Sequence, residues 1–225
     1  MKTTFTYDHY ADYAELTARL VYFSEHYPNY TRLTSLGKTP EGRDLWAMEV
    51  TDLRCGDFDE KPAQHIDGNT HAGEVTGSMA ALHQLDVLLT GCEEPRIARL
   101  LQAYTFTFIP RISPDGAEVY LKTPDTLRSV NRPSGKAQSG VVRQDLDQDG
   151  VIRWMRIPDE TGAWAADAED PRLLRRRRPD ETDGVFYTVM PEGLLQGELE
   201  NPLKAAPARW GLDFNRNYPC WWRPE

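Results

Sequence analysis

The chain has 225 residues, 40% of them hydrophobic, so it is long enough to bury a globular core and too apolar to be disordered. Asp and Glu outnumber Lys and Arg by 35 to 26, and the net charge of −9 argues against a nucleic-acid or anionic-membrane partner. Three widely spaced cysteines, and the lack of any apolar run long enough for a leader or a membrane span, predict a soluble cytoplasmic protein with reduced thiols. An exported form whose signal peptide has been removed is the alternative.

Helical and strand patterns alternate along the first 110 residues. The predicted elements are a helix capped by Asp12, strands at 30–36 and 45–50, a strand at 63–67, a helix from Val75 to Gly91, a helix opened by Pro95 and a strand at 104–110. Strands that alternate with helices are typical of α/β folds. We therefore expect a mixed sheet with flanking helices.

The character of the sequence changes after this region. Residues 116–210 are polar and rich in Pro, Asp and Arg, with short strand-like pieces at 151–157 and 185–189. We predict a long polar insertion within one domain that spans residues 1–225, and not a second core. The run Arg175–Arg178 is flanked by acidic residues, so a solvated charged segment explains it better than nucleic-acid binding.

The loop after the predicted strand at 63–67 contains the sequence His71-Ala-Gly-Glu74. Zinc takes an imidazole nitrogen and a carboxylate oxygen at about 2 Å, and a loop between a strand and a helix can hold both. Gly68 and Gly73 would let the backbone turn tightly around the ion. By itself, however, a His near a Glu is more often a surface or capping pair, because the helix dipole favours Glu74 in a first turn.

Four motifs in a fixed order give this loop more weight. They are GKTPEGRDLW at 37–46, HIDGNTHAGEVTG at 65–77, FIPRISPDG at 108–116 and GLDFNRNYP at 211–219. Their order resembles the zinc carboxypeptidase family, the peptidases related to carboxypeptidase A, in which HxxE, NPDG and DxNRN motifs follow one another. The resemblance implies the N-terminal part of one peptidase domain with a phosphorylase/hydrolase-type α/β fold.

The resemblance also implies roles for individual residues. His71 and Glu74 match the first two zinc ligands of the family, and zinc is the expected cofactor. Asn215 and Arg216 match the pair that holds the terminal carboxylate of the substrate. Their chemistry suits this role, since the planar guanidinium of arginine pairs with both oxygens of a carboxylate and asparagine adds a neutral donor. A polar loop on an acidic surface is the plain alternative for this pair.

Arg128 falls where the family places an arginine that polarises the scissile carbonyl and stabilises the oxyanion. Arg132 is a competitor for that position. Gly73 stands where pancreatic-type members carry Arg, so a substrate contact from that side chain is absent. The family's third zinc ligand, general base and active-site tyrosine lie downstream of the NRN motif, and the sequence ends at Glu225. We therefore expect an incomplete active site in this chain.

The function implied by the resemblance is that of a zinc-dependent metallocarboxypeptidase that removes C-terminal residues from peptides. Its partner would be a peptide or aminoacyl substrate with a free C-terminal carboxylate. An amidase or deacylase on the same zinc scaffold and a non-catalytic binding module are the alternatives. Missing later strands of the sheet would leave apolar surface exposed, which favours self-association of the chain.

A second acidic motif lies in the predicted insertion. Asp145, Asp147 and Asp149 alternate ahead of Gly150, as oxygen ligands do in calcium loops. The twelfth position of such a loop would be Arg156 and not a bidentate Glu, and no helix is predicted on either side. A turn in which the Asp side chains bond their own backbone is therefore favoured, and calcium binding is the alternative.

Overall fold

A computed structural model describes residues 3–129, 139–198, 203–207, 212–216 and 218–219. The chain divides into two compact units, one formed by residues 1–132 with 210–225 and the other by residues 133–209. No helix in the described ranges is long and apolar enough to cross a membrane. Whether residues 116–210 are an insertion within a single domain stays a prediction.

The first unit is built on a four-stranded mixed sheet, ordered β1-β2-β4-β3. β1–β2 and β2–β4 pair antiparallel, whereas β3 and β4 run parallel. The strands are β1 (Thr31–Lys38), β2 (Asp44–Val50), β3 (Ala63–Asp67) and β4 (Thr105–Ile109), and the helices are α1 (Tyr13–His26), α2 (Val75–Thr90), α3 (Pro95–Ala103) and α4 (Pro114–Lys122). The predicted α/β fold with a mixed sheet and helices is confirmed.

The first helix shows how closely local sequence controls this unit. The Asp12 carboxylate accepts a hydrogen bond from the Glu15 backbone N–H at 2.9 Å, and the Glu15 side chain accepts one from the Asp12 N–H at 2.9 Å. This capping box satisfies two donors that would otherwise lack partners at the start of α1. Leu16, Leu20 and Phe23 then recur at helical spacing and are buried, which ties α1 to the core.

The core of the first unit lies between α1, α2 and the sheet. Leu82, Leu85 and Leu89 of α2 are fully buried, as are Met48 of β2 and Phe108 of β4. Side chains packed this densely have little freedom to shift. The strand ends beside α2 are therefore held firmly, and they carry the loops described below.

Those loops leave the sheet side by side because β3 and β4 are parallel neighbours, with Asp67 paired to Ile109. The loop that follows β3 and the loop that follows β4 are also joined directly. The Ile112 N–H donates to the Gly68 carbonyl at 3.0 Å, and the Ser113 N–H donates to the Asn69 carbonyl at 3.1 Å. The carboxyl ends of adjacent parallel strands are a common place for a functional site.

The second unit contains short antiparallel strands. β10 pairs with β5, and a separate sheet has the order β6-β9-β7-β8. The strands are β5 (Gly140–Arg143), β6 (Trp154–Pro158), β7 (Trp164–Ala166), β8 (Leu174–Arg176), β9 (Phe186–Pro191) and β10 (Gly193–Gln196). Val141, Ala165, Phe186 and Met190 are buried in this unit. The segment thus contains buried apolar side chains, and the expectation that it is not a second core stays a prediction.

Candidate metal and substrate site

His71 and Glu74 lie in the loop between β3 and α2, as the sequence predicts. The His71 side chain is only 8% exposed and the Glu74 side chain is 57% exposed. Nδ1 of His71 lies 2.7 Å from Oε1 of Glu74. The imidazole and the carboxylate thus contact each other directly, and the exposed carboxylate is open to a cation from solvent.

The backbone around His71 is fixed by its neighbours. Asn69 adopts a positive φ of 57°, a conformation that asparagine tolerates better than most residues. Its side-chain amide donates to the carbonyls of His71 at 2.7 Å and Ala72 at 3.2 Å. A Cβ on Gly68 would lie 2.7 Å from the backbone of Gly77, so only glycine allows α2 to pack this closely on the loop.

The other ring nitrogen of His71 faces an aspartate from a distant part of the chain. Nε2 of His71 lies 3.2 Å from Oδ1 of Asp213. Oδ2 of the same carboxylate accepts a hydrogen bond from Nε of Arg128 at 3.1 Å. A single carboxylate therefore joins the imidazole and the guanidinium.

The charge state of Asp213 follows from these contacts. Desolvation raises its pKa, but the hydrogen bonds from Arg128, the Asn215 backbone N–H and His71 outweigh that effect. The net result is a pKa below the ordinary value for an aspartate. Asp213 is therefore a stable anion that accepts a hydrogen bond from Nε2 of His71, as carboxylates behind metal-bound histidines usually do, while Nδ1 contacts Glu74.

Sequence reasoning assigned no role to Asp213. The signal was present, because Asp213 is the first residue of the DFNRN motif that pointed to Asn215 and Arg216. Asp213, however, stands 142 residues from His71. Nothing in the local pattern indicates that the two side chains meet.

Arg128 is brought to the site from the segment that follows α4. Its side chain is 49% exposed, and its backbone carbonyl accepts a hydrogen bond from the Ala72 N–H at 2.7 Å. The guanidinium thus has a partner in Asp213 and an open side toward solvent. Arg132, the competitor for the same role, lies outside the described residues, so the choice between the two arginines stays a prediction.

Asn215 and Arg216 lie in a short 3-10 turn, Phe214–Arg216, directly after Asp213. Both side chains are exposed. The Asn215 backbone N–H donates to Oδ1 of Asp213 at 2.9 Å, which couples the turn to the rest of the site. Their predicted contact with a substrate carboxylate stays a prediction.

Tyr120 of α4 lies next to the loop that carries His71 and Glu74. A Cβ on Gly73 would lie 3.2 Å from Cε2 and 3.4 Å from Cδ2 of Tyr120, so this ring covers the backbone between His71 and Glu74. The expectation that Gly73 serves a tight turn misses this contact. Gly73 does not have a positive φ, and its missing side chain makes room for the ring.

The donor set fits zinc in part. An imidazole nitrogen and a carboxylate oxygen are normal zinc ligands, and metal-bound histidines usually hydrogen-bond a carboxylate through their other nitrogen, as His71 does with Asp213. In the part of the chain that the structure describes, no third His, Cys, Asp or Glu joins His71 and Glu74 around one point. Catalytic zinc sites have three protein ligands as a rule.

The described residues do bring Asp145, Asp147 and Asp149 together, with carboxylate oxygens within 4.8 Å of one another. Arg153 pairs with Asp147 at 3.4 Å and also with Asp149, so one cation from the protein already faces two of the three carboxylates. The Gly150 N–H donates to Oδ2 of Asp145 at 2.8 Å. These contacts favour a turn, as the sequence does.

The sequence model of the family described as zinc carboxypeptidase matches residues 16–225. Carboxypeptidase D from Homo sapiens is 32% identical over 154 residues, covering 68% of this chain and 11% of that protein. Inactive metallocarboxypeptidase ECM14 from Arthroderma otae is 31% identical over 132 residues, covering 57% and 22%. The chain thus spans less than a quarter of either relative.

A solved structure agrees in fold. The crystal structure of carboxypeptidase A from Helicoverpa armigera superposes with a TM-score of 0.52 at 20% identity, covering 69% of this chain and 37% of that one. At 20% identity the match supports a shared fold and says nothing about function.

Proposed function

The chain belongs to the zinc carboxypeptidase family, and from that premise we propose that it forms part of a zinc-dependent hydrolase that removes C-terminal residues from peptides. The observation that carries the proposal is the contact of His71 with Glu74 on one side and with Asp213 on the other. An ordinary surface pair of His and Glu needs no buried imidazole and no second carboxylate behind the ring.

His71 and Glu74 would hold the metal through Nδ1 and a carboxylate oxygen. Zinc, when bound, lowers the pKa of a coordinated water and polarises a carbonyl. Asp213 acts behind His71, since its anionic carboxylate keeps the proton on Nε2 and fixes the ring. This arrangement needs no rearrangement of the loop, because Asn69 and α2 already hold the backbone.

Arg128 would act on the substrate. Its guanidinium is held by Asp213 through Nε, which leaves the terminal amino groups to donate to an oxygen that gains negative charge. Asn215 and Arg216, in the turn after Asp213, would receive the terminal carboxylate of the peptide. A peptide with a free C-terminus is therefore the substrate class that this set of groups fits.

We further propose that the 225-residue chain alone binds zinc weakly and has no peptidase activity. His71 and Glu74 provide two donors, and the remaining four histidines all precede the NRN motif, whereas the family's third ligand follows it. Metal analysis after dialysis should therefore find well under one zinc per chain.

The decisive experiment uses the whole protein that contains this chain, with peptides that differ only in a free or amidated C-terminus. Free peptides should be shortened from the C-terminus, and a chelator should stop the reaction. Glu74→Ala should remove zinc and activity together. Arg216→Ala should keep zinc and lose at least tenfold in kcat/KM on free peptides, since a charge-assisted bidentate pair is lost.

Arg99→Ala is the matched control, because Arg99 is an exposed arginine on α3 in the same unit. Equal cleavage of free and amidated peptides would contradict the role of Arg216 and indicate an amidase or deacylase on the same scaffold. If the unmodified protein binds zinc but shows no peptidase, amidase or deacylase activity, it is a non-catalytic binding module.

A further inference from the structure

Tyr120 occupies a position beside the candidate metal ligands that the proposed chemistry does not use. Gly73 lies between His71 and Glu74 in the loop, and the ring of Tyr120 begins 3.2 Å from where its Cβ would be. A side chain at position 73 would therefore touch this ring closely, and the ring would have to shift by a few tenths of an ångström to admit it. The surface next to the candidate metal ligands is therefore formed in part by the ring of Tyr120, which belongs to α4.

The ring is not needed to complete the core. Tyr120 is 42% exposed and does not belong to the buried core cluster of the first unit. Among the described residues its hydroxyl has no hydrogen-bond partner, and Gly73 and Glu74 beside it are exposed as well. One face of the ring covers the loop, and the rest of the side chain is open to a ligand.

The helix that carries Tyr120 is held firmly on both sides. Asp115 of α4 accepts hydrogen bonds from Oγ1 of Thr39 at 2.7 Å and from Arg43 at 2.8 Å. Glu118 accepts one from the Tyr13 N–H at 2.7 Å. A fixed helix presents the ring in one place, so a ligand that stacks on it loses little free energy in ordering the protein.

We propose that Tyr120 is a substrate-contacting residue that selects peptides with an aromatic or large apolar side chain on the N-terminal side of the scissile bond. This rests on the proposed function. In the proposed function, Asn215 and Arg216 would bind the C-terminal residue of the substrate. Tyr120 belongs to a different element, α4, so its ring would contact the substrate residue that precedes the C-terminal one. Aromatic side chains attract one another beyond the area they bury, in stacked or edge-to-face geometry.

The test uses two N-blocked peptides with the same free C-terminal residue, preceded by Phe in one and by Ala in the other. We measure kcat/KM in the whole zinc-loaded protein. We also measure the Kd of fluorescein-labelled versions in chelator, where no cleavage occurs. Tyr120→Ala should weaken both values about 3- to 10-fold for the Phe peptide and leave the Ala peptide unchanged. Tyr120→Phe should keep the preference.

Tyr104→Ala is the matched control, since Tyr104 is 44% exposed and lies at the end of α3. An equal loss for both peptides together with a loss of zinc would show that Tyr120 only supports the loop, and would overturn the inference. An unchanged Phe preference in Tyr120→Ala would overturn it too, with the proposed function intact. If the unmodified protein neither cleaves nor binds either peptide, the proposed function fails, and the inference fails with it.

Discussion

The carboxylate of Asp213 makes two side-chain hydrogen bonds whose effects are linked. It accepts a hydrogen bond from Nε2 of His71 on Oδ1 and one from Nε of Arg128 on Oδ2. Arg128 lowers the pKa of Asp213 against the opposing effect of desolvation. The anion in turn makes the imidazole more basic toward a metal. An arginine proposed to act on the substrate therefore also influences the metal ligand.

Replacing Asp213 with Asn should weaken zinc binding to the whole protein about 10- to 100-fold, because His71 loses an anionic acceptor while the shape of the side chain is kept. Competition with a chromophoric chelator measures this affinity. Asp67→Asn is the control, since Asp67 pairs with His65 at 3.1 Å but His65 is not a candidate ligand. Equal zinc affinities in Asp213→Asn and the unmodified protein would disprove the role of Asp213.

The carboxylates of Asp145, Asp147 and Asp149 should leave stability independent of calcium. Arg153 already pairs with Asp147 and Asp149, so calcium would have to displace these ion pairs in order to bind. We expect the Tm to stay constant up to millimolar calcium. A ligand that binds the folded state must raise the Tm as its concentration increases. A rise with calcium that Asp147→Ala abolishes would establish a site.

Single residues of the site were predictable to different degrees. His71 and Glu74 stand three residues apart in a motif, and the structure places them 2.7 Å from each other. Asp213 and Arg128 meet only through the fold, and no local pattern reports that. Tyr120 was missed for the same reason, since its contact depends on how α4 packs over Gly73.

At the scale of elements, the segment of the second unit from β8 (Leu174–Arg176) to Glu181 provides a pH test. Arg175 donates to both oxygens of Glu181, at 2.8 and 2.5 Å, and these hydrogen bonds lower the pKa of Glu181 from 4.5 to about 2. A carboxyl whose pKa is lower in the folded state stabilises the fold above its unfolded pKa. That contribution should be complete above about pH 4.5 and disappear as the pH falls through 2.

Carbon-13 NMR of the Glu181 carboxyl measures this titration directly. We expect a midpoint near pH 2 in the unmodified protein. Arg175→Met should move it back toward 4.5, because the paired donor is lost. The carboxyl of Glu169, which makes no salt bridge among the described residues, is an internal control. A Glu181 midpoint near 4.5 in the unmodified protein would show that Arg175 and Glu181 are not paired in solution.

Elements with strong periodicity were predicted well. β3 has the predicted bounds, and α2 runs from Val75 to Thr90 with Gly91 at its C-cap, because its apolar residues recur at helical spacing. α4 was not predicted, because the polar character of the sequence after residue 116 hid it, although Pro114 is well suited to the first turn of a helix. Strands of three or four residues such as β7 and β8 carry too few side chains to show a period.

At the scale of the molecule, the sheet of the first unit ends at β3. Among the described residues, β3 pairs with β4 alone, and four of its five residues are exposed. An open strand edge presents unpaired N–H and C=O groups that another chain can bond. We expect the 225-residue chain to self-associate, with a sedimentation coefficient that rises with concentration. Gln64→Lys should reduce this, whereas Gln102→Lys on α3 should not. Association that is equal in both variants would place the contact elsewhere.

The hydrogen bond between His71 and Asp213 closes a loop of 142 residues, and residues 133–209 lie inside that loop. The entropy of closure grows only with the logarithm of length, by about 0.6 kcal/mol per doubling, so an entire folded unit adds little to the free-energy cost of bringing its ends together. The rate of folding is affected more, because contacts between residues far apart in sequence form slowly. We expect the β1–β2 hairpin and α1, which rely on local contacts, to form early, and the contact between His71 and Asp213 to form later.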